Sequence, residues 1–306
     1  MRRVILTLLV TSLAVIITAQ DQSPSFLASS TELVVLPVVV VDKRGGFVTD
    51  LGRDRFVVYD NGRKREISLF TNEDTPVTVG LVIDSSGSML PRRDAVIAAG
   101  VAFAESSHPA DELFTLNFNE HVWPGLPPGH LFTSDRRELR TALDRSGARG
   151  QTALFDAIDA GLRHLERGAE RRKVLIVISD GGDNASATTF DKVREEALRR
   201  DVVIYAVGIY DPDDRDAKPG LLRKLADVTG GEAFFPRNID KVTPVLERIA
   251  RDIRSSYTIG YVPPAGARPG TPRSVRVHVS PPDGRKLSVR SRSAYVSGED
   301  ADRAGR

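Results

Sequence analysis

Three short segments carry the oxygen chemistry of this chain. Asp84-Ser85-Ser86-Gly87-Ser88-Met89 follows an apolar run, Gly150-Gln151-Thr152-Ala153 opens a helical pattern, and Ser179-Asp180-Gly181-Gly182-Asp183 closes a second apolar run. Asp84, Ser86, Ser88, Thr152 and Asp180 offer two carboxylates and three hydroxyls, all hard oxygen donors. Such donors suit Mg²⁺, which takes about six oxygens at roughly 2.1 Å and keeps some waters. Mn²⁺ and Ca²⁺ accept the same donor types. Two aspartates only balance a divalent charge, and hydroxyls donate weakly. An ion held this way stays electrophilic and keeps a position for an Asp or Glu side chain of a partner protein. The spacing predicts metal-dependent binding of a carboxylate, with Gly150, Gln151, Gly181 and Asp183 on the rim.

Each segment alone also reads as an ordinary turn, because Asp, Ser and Gly are common at strand ends. Gln151 and Asp183 read more readily as solvated loop residues than as rim contacts. Asp156 sits in the first turns of a helix, where a negative charge favours the dipole. Asn117 and Asn119 end a strand and read as turn residues. A hydrolytic reading makes Asp84 a phosphoryl acceptor or Ser86 an acyl acceptor. Ser86 stands where a second aspartate would be needed, no lysine clamp is nearby, and Ser86 lacks the Gly-x-Ser-x-Gly elbow and a placeable histidine base. A structural envelope protein with an inactive metal site is the third reading.

The elements that must position these residues follow from periodicity. From Val77 onward, apolar strands over 77–83, 112–118, 174–179, 202–208 and 232–235 alternate with helices. The helices run over 93–107, 135–145, 153–165, 190–200, 221–229 and up to about 253. Thr243 reads as the cap of the last one, with Pro244 in its first turn. Gly100 shares the apolar face of its helix and is expected to pack closely on the sheet. The alternation implies a mainly parallel sheet covered on both faces. Asp84 and Asp180 then fall at the carboxyl ends of strands, the edge where such sheets bind ligands.

Both flanks read as β. The Val38–Val41 run predicts a buried strand beginning near Pro37. Phe56–Tyr59 and Glu66–Phe70 flank Asp60-Asn61-Gly62, a hairpin signal because Asn and Gly tolerate positive φ. After Ser255, alternation returns at 257–261, 275–279 and 287–289, with Pro282-Asp283-Gly284 as a turn. Three strands per flank are thin for independent stability. The expected organisation is therefore one β-sandwich, built from residues 33–75 and 255–296, with the α/β domain 76–254 inserted between its halves. Arg273, Arg276, Arg285, Lys286, Arg290 and Arg292 crowd the last strands. They read as a solvated face that discourages edge pairing, or as a site for an acidic polymer. Trp123 reads as a packed loop anchor or an exposed contact.

The Asp-x-Ser-x-Ser segment, the distant Thr152 and the distant Asp180-Gly181, on alternating strands and helices, resemble the von Willebrand factor type A (VWA) domain over about 76–254. The resemblance implies an α/β fold, a Rossmann-like doubly wound mainly parallel sheet. It also implies a non-enzymatic adhesion module in which Asp84, Ser86, Ser88, Thr152 and Asp180 form a metal-ion-dependent adhesion site. Ser86 and Ser88 would bind the ion directly, Asp84 and Asp180 directly or through water, and Thr152 in the ligand-bound state. Val38–Val41, Phe56 to Gly62 and Tyr257-Thr258-Ile259-Gly260-Tyr261 resemble the flanks of an exported bacterial subset of that family.

Composition removes competing chemistries. The 306 residues contain no cysteine, which excludes disulfides, thiolate catalysis and cysteine-ligated metals. Histidines 108, 121, 130, 164 and 278 show no zinc spacing. The net charge of +2 supplies no global field for nucleic acid. Arg2 and Arg3, the apolar run Val4 to Ile17 and Thr18-Ala19-Gln20 read as a signal peptide over 1–19. Export is expected, to the periplasm or beyond, with an uncleaved anchor as the alternative membrane attachment. Residues 20–32 read as a linker and 297–306 as a polar tail.

Overall fold

Apolar runs without polar alternation need cover on both faces, and the central sheet supplies it. The structure is a computed structural model that describes residues 33–144, 149–180, 182–210, 219–264, 270–281 and 284–296. The signal segment, the 20–32 linker, the 297–306 tail, Gly181 and Pro282-Asp283 lie outside these residues. The chain first forms β1 (Val34–Asp42), β2 (Phe56–Asp60), β3 (Arg63–Arg65) and β4 (Leu69–Thr71). The α/β part follows with β5 (Thr78–Asp84), α1 (Arg93–Ser106), β6 (Glu112–Phe118), β7 (Val122–Pro124), α2 (Arg136–Asp144) and α3 (Leu154–Leu165). It continues with β8 (Lys173–Ser179), α4 (Phe190–Arg199), β9 (Val202–Gly208), α5 (Pro219–Thr229), β10 (Ala233–Phe234) and α6 (Val242–Arg254). The chain closes with β11 (Tyr257–Tyr261), β12 (Pro272–Val279), β13 (Leu287–Arg290) and β14 (Ala294–Val296).

The central sheet has the order β10-β9-β8-β5-β6-β7, parallel throughout except for edge strand β7. Val96 and Phe103 of α1, Leu139 and Leu143 of α2, and Leu246 and Ile249 of α6 cover Val79, Leu81 and Ile176 on one face. Ile158 and Leu162 of α3, Val193 of α4 and Leu225 of α5 cover Val82, Phe114 and Val177 on the other. Two local expectations are corrected. Gly100 meets Leu143 of α2 rather than the sheet: a Cβ there would lie 2.9 Å from the Leu143 Cδ1. Thr243 does not cap α6, because a 3-10 turn at Ile239–Lys241 runs straight into the helix, placing Thr243 and Pro244 inside its first turn. Trp123 lies half-buried in edge strand β7.

The flanks interleave. One antiparallel sheet has the order β13-β1-β11-β4 and the other β14-β12-β2-β3, so each contains strands from both ends of the chain. Leu36, Val38, Val58, Tyr257, Ile259 and Val277 form one apolar cluster between them. Strand β1 begins at Val34, upstream of Pro37. Its first half pairs with β11 and its second, from Val39, with β13. Pro37 thus sits before the second neighbour arrives, where its missing N–H costs no ladder bond. Asn61 (φ 46°) and Gly62 (φ 75°) make the tight turn. The return arm is only β3, after which the chain passes to β4 in the other sheet.

The basic strands are not simply a solvated face. Arg273 donates to Asp60, Arg290 to Asp252 and Glu232, and Arg292 to Asp201 and the Val35 carbonyl. Arg290 and Arg292 fasten the flanking strands to the α/β body. Gly230 (φ +87°) lets them approach: a Cβ there would stand 2.4 Å from the Arg292 nitrogen. Asp60 is fully buried and also accepts from the hydroxyls of Tyr295 (2.9 Å) and Tyr261 (3.2 Å), joining both flanks at one carboxylate. Removing one partner of such a buried pair costs about 3–5 kcal/mol. Asp60→Ala is expected to lower unfolding free energy by about that amount in urea titrations, whereas Arg276→Ala, with an exposed side chain, changes it by about 0.5 kcal/mol or less.

Candidate metal centre

Strands β5 and β8 are parallel neighbours, so their carboxyl ends open on the same edge. Asp84 is the last residue of β5, and Asp180 follows the last residue of β8. Asp84 is 3% exposed. Its Oδ1 accepts from the Ser86 N–H at 2.8 Å, and its Oδ2 accepts from the Ser179 hydroxyl at 2.6 Å. The Ser86 and Ser88 hydroxyls stand 3.2 Å apart, and the Ser88 hydroxyl donates to Asp180 Oδ2. Asp84, Ser86, Ser88 and Asp180 are therefore joined through direct contacts.

Thr152 is tied to them through the main chain. Arg149 N–H donates to the Ser85 carbonyl (2.9 Å) and Gly87 N–H to the Gly150 carbonyl (3.3 Å). From the other side, Asn184 Oδ1 accepts from Thr152 N–H at 2.9 Å, while Asn184 N–H donates to the Thr152 carbonyl at 3.0 Å. Asn119 braces the same loop: its Nδ2 donates to the Arg149 carbonyl (3.1 Å) and its carbonyl accepts from Ala153 (2.7 Å). The three loops form one hydrogen-bonded unit.

The rim residues divide. Gly150 (φ +84°) has the Glu120 carboxylate against it, 1.9 Å from where a Cβ would lie, and the exposed Gln151 donates its N–H to that carboxylate at 2.9 Å. Asp183 instead points to the start of α3, accepting from Ser186 Oγ (2.5 Å) and Phe155 N–H (3.4 Å). Asp156 latches the following loop by accepting from Ala187 and Thr188 N–H groups, more than a dipole contact. Sequence reasoning missed Glu120, Asn184 and Tyr210. Tyr210 lies just past β9 on the same edge, with a buried hydroxyl that has no hydrogen-bond partner among the described residues. Burial and the charge of Asp180 push that phenol well above its ordinary value. Only its position beyond a strand end could have flagged it.

The donors fit a hard cation. Burial pushes the Asp84 carboxyl up to about 6, aided by the charge of Asp180 and opposed by the Ser179 and Ser86 hydrogen bonds. Among the described residues no cation pairs with that carboxylate, and a divalent ion would supply the missing charge.

The von Willebrand factor type A domain profile matches residues 79–248, more than half of the chain. The chain belongs to the von Willebrand factor type A family. No curated protein matches it. A von Willebrand factor type A structure from Catenulispora acidiphila is similar at TM-score 0.52 and 17% identity, covering 90% of this chain and 76% of that one. Proximal thread matrix protein 1 from the mussel byssus, in a structure with a zinc-occupied metal-ion-dependent adhesion site, is similar at TM-score 0.52 and 16% identity, covering 63% and 49%. At these identities the likeness is one of fold, and in the first case it extends through the flanking sheets. VWA domains are in general adhesion modules rather than catalysts.

Two outcomes test the centre. The raised Asp84 value means the metal-free fold binds a proton more tightly than the unfolded chain, so this group stabilises the fold as pH falls from about 6 to 4 and opposes it above. Ionising it costs on the order of 3 kcal/mol. In calorimetry, Asp84→Asn should raise the metal-free Tm at pH 7.5 and abolish the rise that Mg²⁺ gives the parent; the parent's Mg²⁺ response should fade below pH 6. Asn184→Ala should weaken Mg²⁺ affinity by about 10- to 100-fold, measured by titration, because Thr152 loses its brace.

Proposed function

We propose that this VWA protein is an exported binding module that captures an acidic side chain of a partner protein through a divalent ion. Asp84, Ser86, Ser88, Thr152 and Asp180 would hold Mg²⁺, with Mn²⁺ or Ca²⁺ as substitutes. The observation that carries the reading is the single hydrogen-bonded unit made by the three loops, with Ser86, Ser88 and Asp180 in contact at its centre. The ion supplies an electrophilic position for a partner carboxylate. The chain's own residues orient the donors and keep Asp84 out of water. Around them, Leu90 is 60% exposed beside Ser88, offering an apolar contact next to the ion. Hydrogen bonds from its own N–H and that of Gln151 hold the exposed Glu120 carboxyl below its usual range, so Glu120 presents a fixed negative charge to a partner's cation.

Hydrolysis by Asp84 or Ser86 is disfavoured by the absence, among the described residues, of a histidine hydrogen-bonded to Ser86. The export reading rests on the sequence of residues 1–19. Among the described residues, no helix is long and apolar enough to cross a membrane. The deciding experiment is a pull-down from the native envelope fraction with the parent and Asp84→Ala, each in Mg²⁺ and in EDTA. Capture of a partner by the parent in Mg²⁺ alone is expected; equal capture in all four arms overturns the reading.

A further inference from the structure

At the opposite, amino-end edge of the central sheet, a cavity of about 360 Å³ lies between the sheet β13-β1-β11-β4 and the α/β body. That volume is at the small end of ligand cavities. Val35 and Pro37 of β1 and Leu69 of β4 make an aliphatic wall. Across from them stand three consecutive cations at the start of β8: Arg171, Arg172 and Lys173. Arg172 gives Nη2 to the Ile253 carbonyl (2.7 Å) and to Ser256 Oγ (2.6 Å), which leaves Nη1 without a hydrogen bond among the described residues.

Three neighbouring arginines of the flanks and α6 have carboxylates. Arg254 holds Asp74, Arg290 holds Asp252, and Arg292 takes Asp201, the acid that lines the cavity. Arg172 has no such pair among the described residues. Asp74 and Asp111, whose charges act on it, are committed, the first to Arg254 and the second to the N–H groups of Val77 and His108. Lys173 gives its ammonium to the Leu165 and Gly168 carbonyls and brings no acid. A mostly buried guanidinium without a counter-ion is costly, and an anion on its open side would remove that cost.

We propose that this cavity is a binding site for an aliphatic monocarboxylate, independent of the metal centre, with its chain against Val35, Pro37 and Leu69 and its carboxylate on Arg172. A carboxylate against Nη1 makes a charge-assisted hydrogen bond and supplies the counter-charge, neither of which an alcohol matches. The site reads two features together, an apolar body and one negative end.

Decanoate is the probe, titrated by calorimetry into the full chain, with 1-decanol and decyltrimethylammonium as controls. One-to-one decanoate binding is expected, with decanol weaker by at least about tenfold and no binding of the cation. Leu69→Trp fills the cavity from a half-buried position and should abolish binding; Arg172→Gln should weaken it by at least about tenfold while circular dichroism shows a folded chain. Should Arg172→Gln not fold, Leu69→Trp and the decanol comparison decide. The proposal is overturned by no decanoate binding, by equal affinity for decanoate and decanol, or by unchanged binding in Leu69→Trp. Binding that appears only after removal of residues 1–32 also overturns it, and assigns the cavity to the chain's own leading segment.

Discussion

Asp84 stands at the end of β5 with its carboxylate out of water and the charge of Asp180 beside it. A lone buried carboxylate neutralises itself by taking up a proton unless a cation arrives. The surrounding loops are arranged around that demand. Ser179 and the Ser86 N–H each take one oxygen of Asp84, fixing its orientation before any ion binds. Ser88 spans to Asp180, and Asn184 and Asn119 hold Thr152 from two sides. The parallel sheet is what makes this arrangement available, since it alone brings the ends of β5 and β8 to one edge without a hairpin between them.

The second organising theme is the exchange of arginines between layers. Asp60 collects Arg273, Tyr261 and Tyr295 inside the flanking sheets, while Arg290 and Arg292 reach out of them to Asp252, Glu232 and Asp201. A surface ion pair is worth about 0–1 kcal/mol, but these have at least one buried member and resist removal of either partner. They give the flanks a fixed seat at the amino-end edge of the parallel strands, the end opposite Asp84 and Asp180.

Much of this was legible in the residues because the parallel-sheet pattern is strong. Apolar strands read at 77–83 and 174–179 put Asp84 and Asp180 on one edge, and the helix start placed Thr152 near them. The second layer was hidden, since Glu120, Asn184 and Tyr210 come from loops whose approach depends on tertiary packing rather than on spacing. Charge counting also misled. It saw six cations near the end of the chain but no partners, because Asp60, Asp201 and Asp252 are far away in sequence. Asp60 looked like half of a turn, and only the tyrosines of β11 and β14 explain its burial. The cap at Thr243 failed because a 3-10 turn can feed a helix without a side-chain acceptor.

Strand β1 spends its first half on β11 and its second on β13, partners more than two hundred residues further along. Closing so long a loop from an open chain costs about 5 kcal/mol in entropy. A folded α/β body already holds the start of β5 and the end of α6 in place and removes most of that cost. During synthesis, β1 to β4 must therefore wait with apolar edges unpaired until the last strands emerge. The flanking sheets are completed only once β11, β12 and β13 are available to pair with β1, β2 and β4.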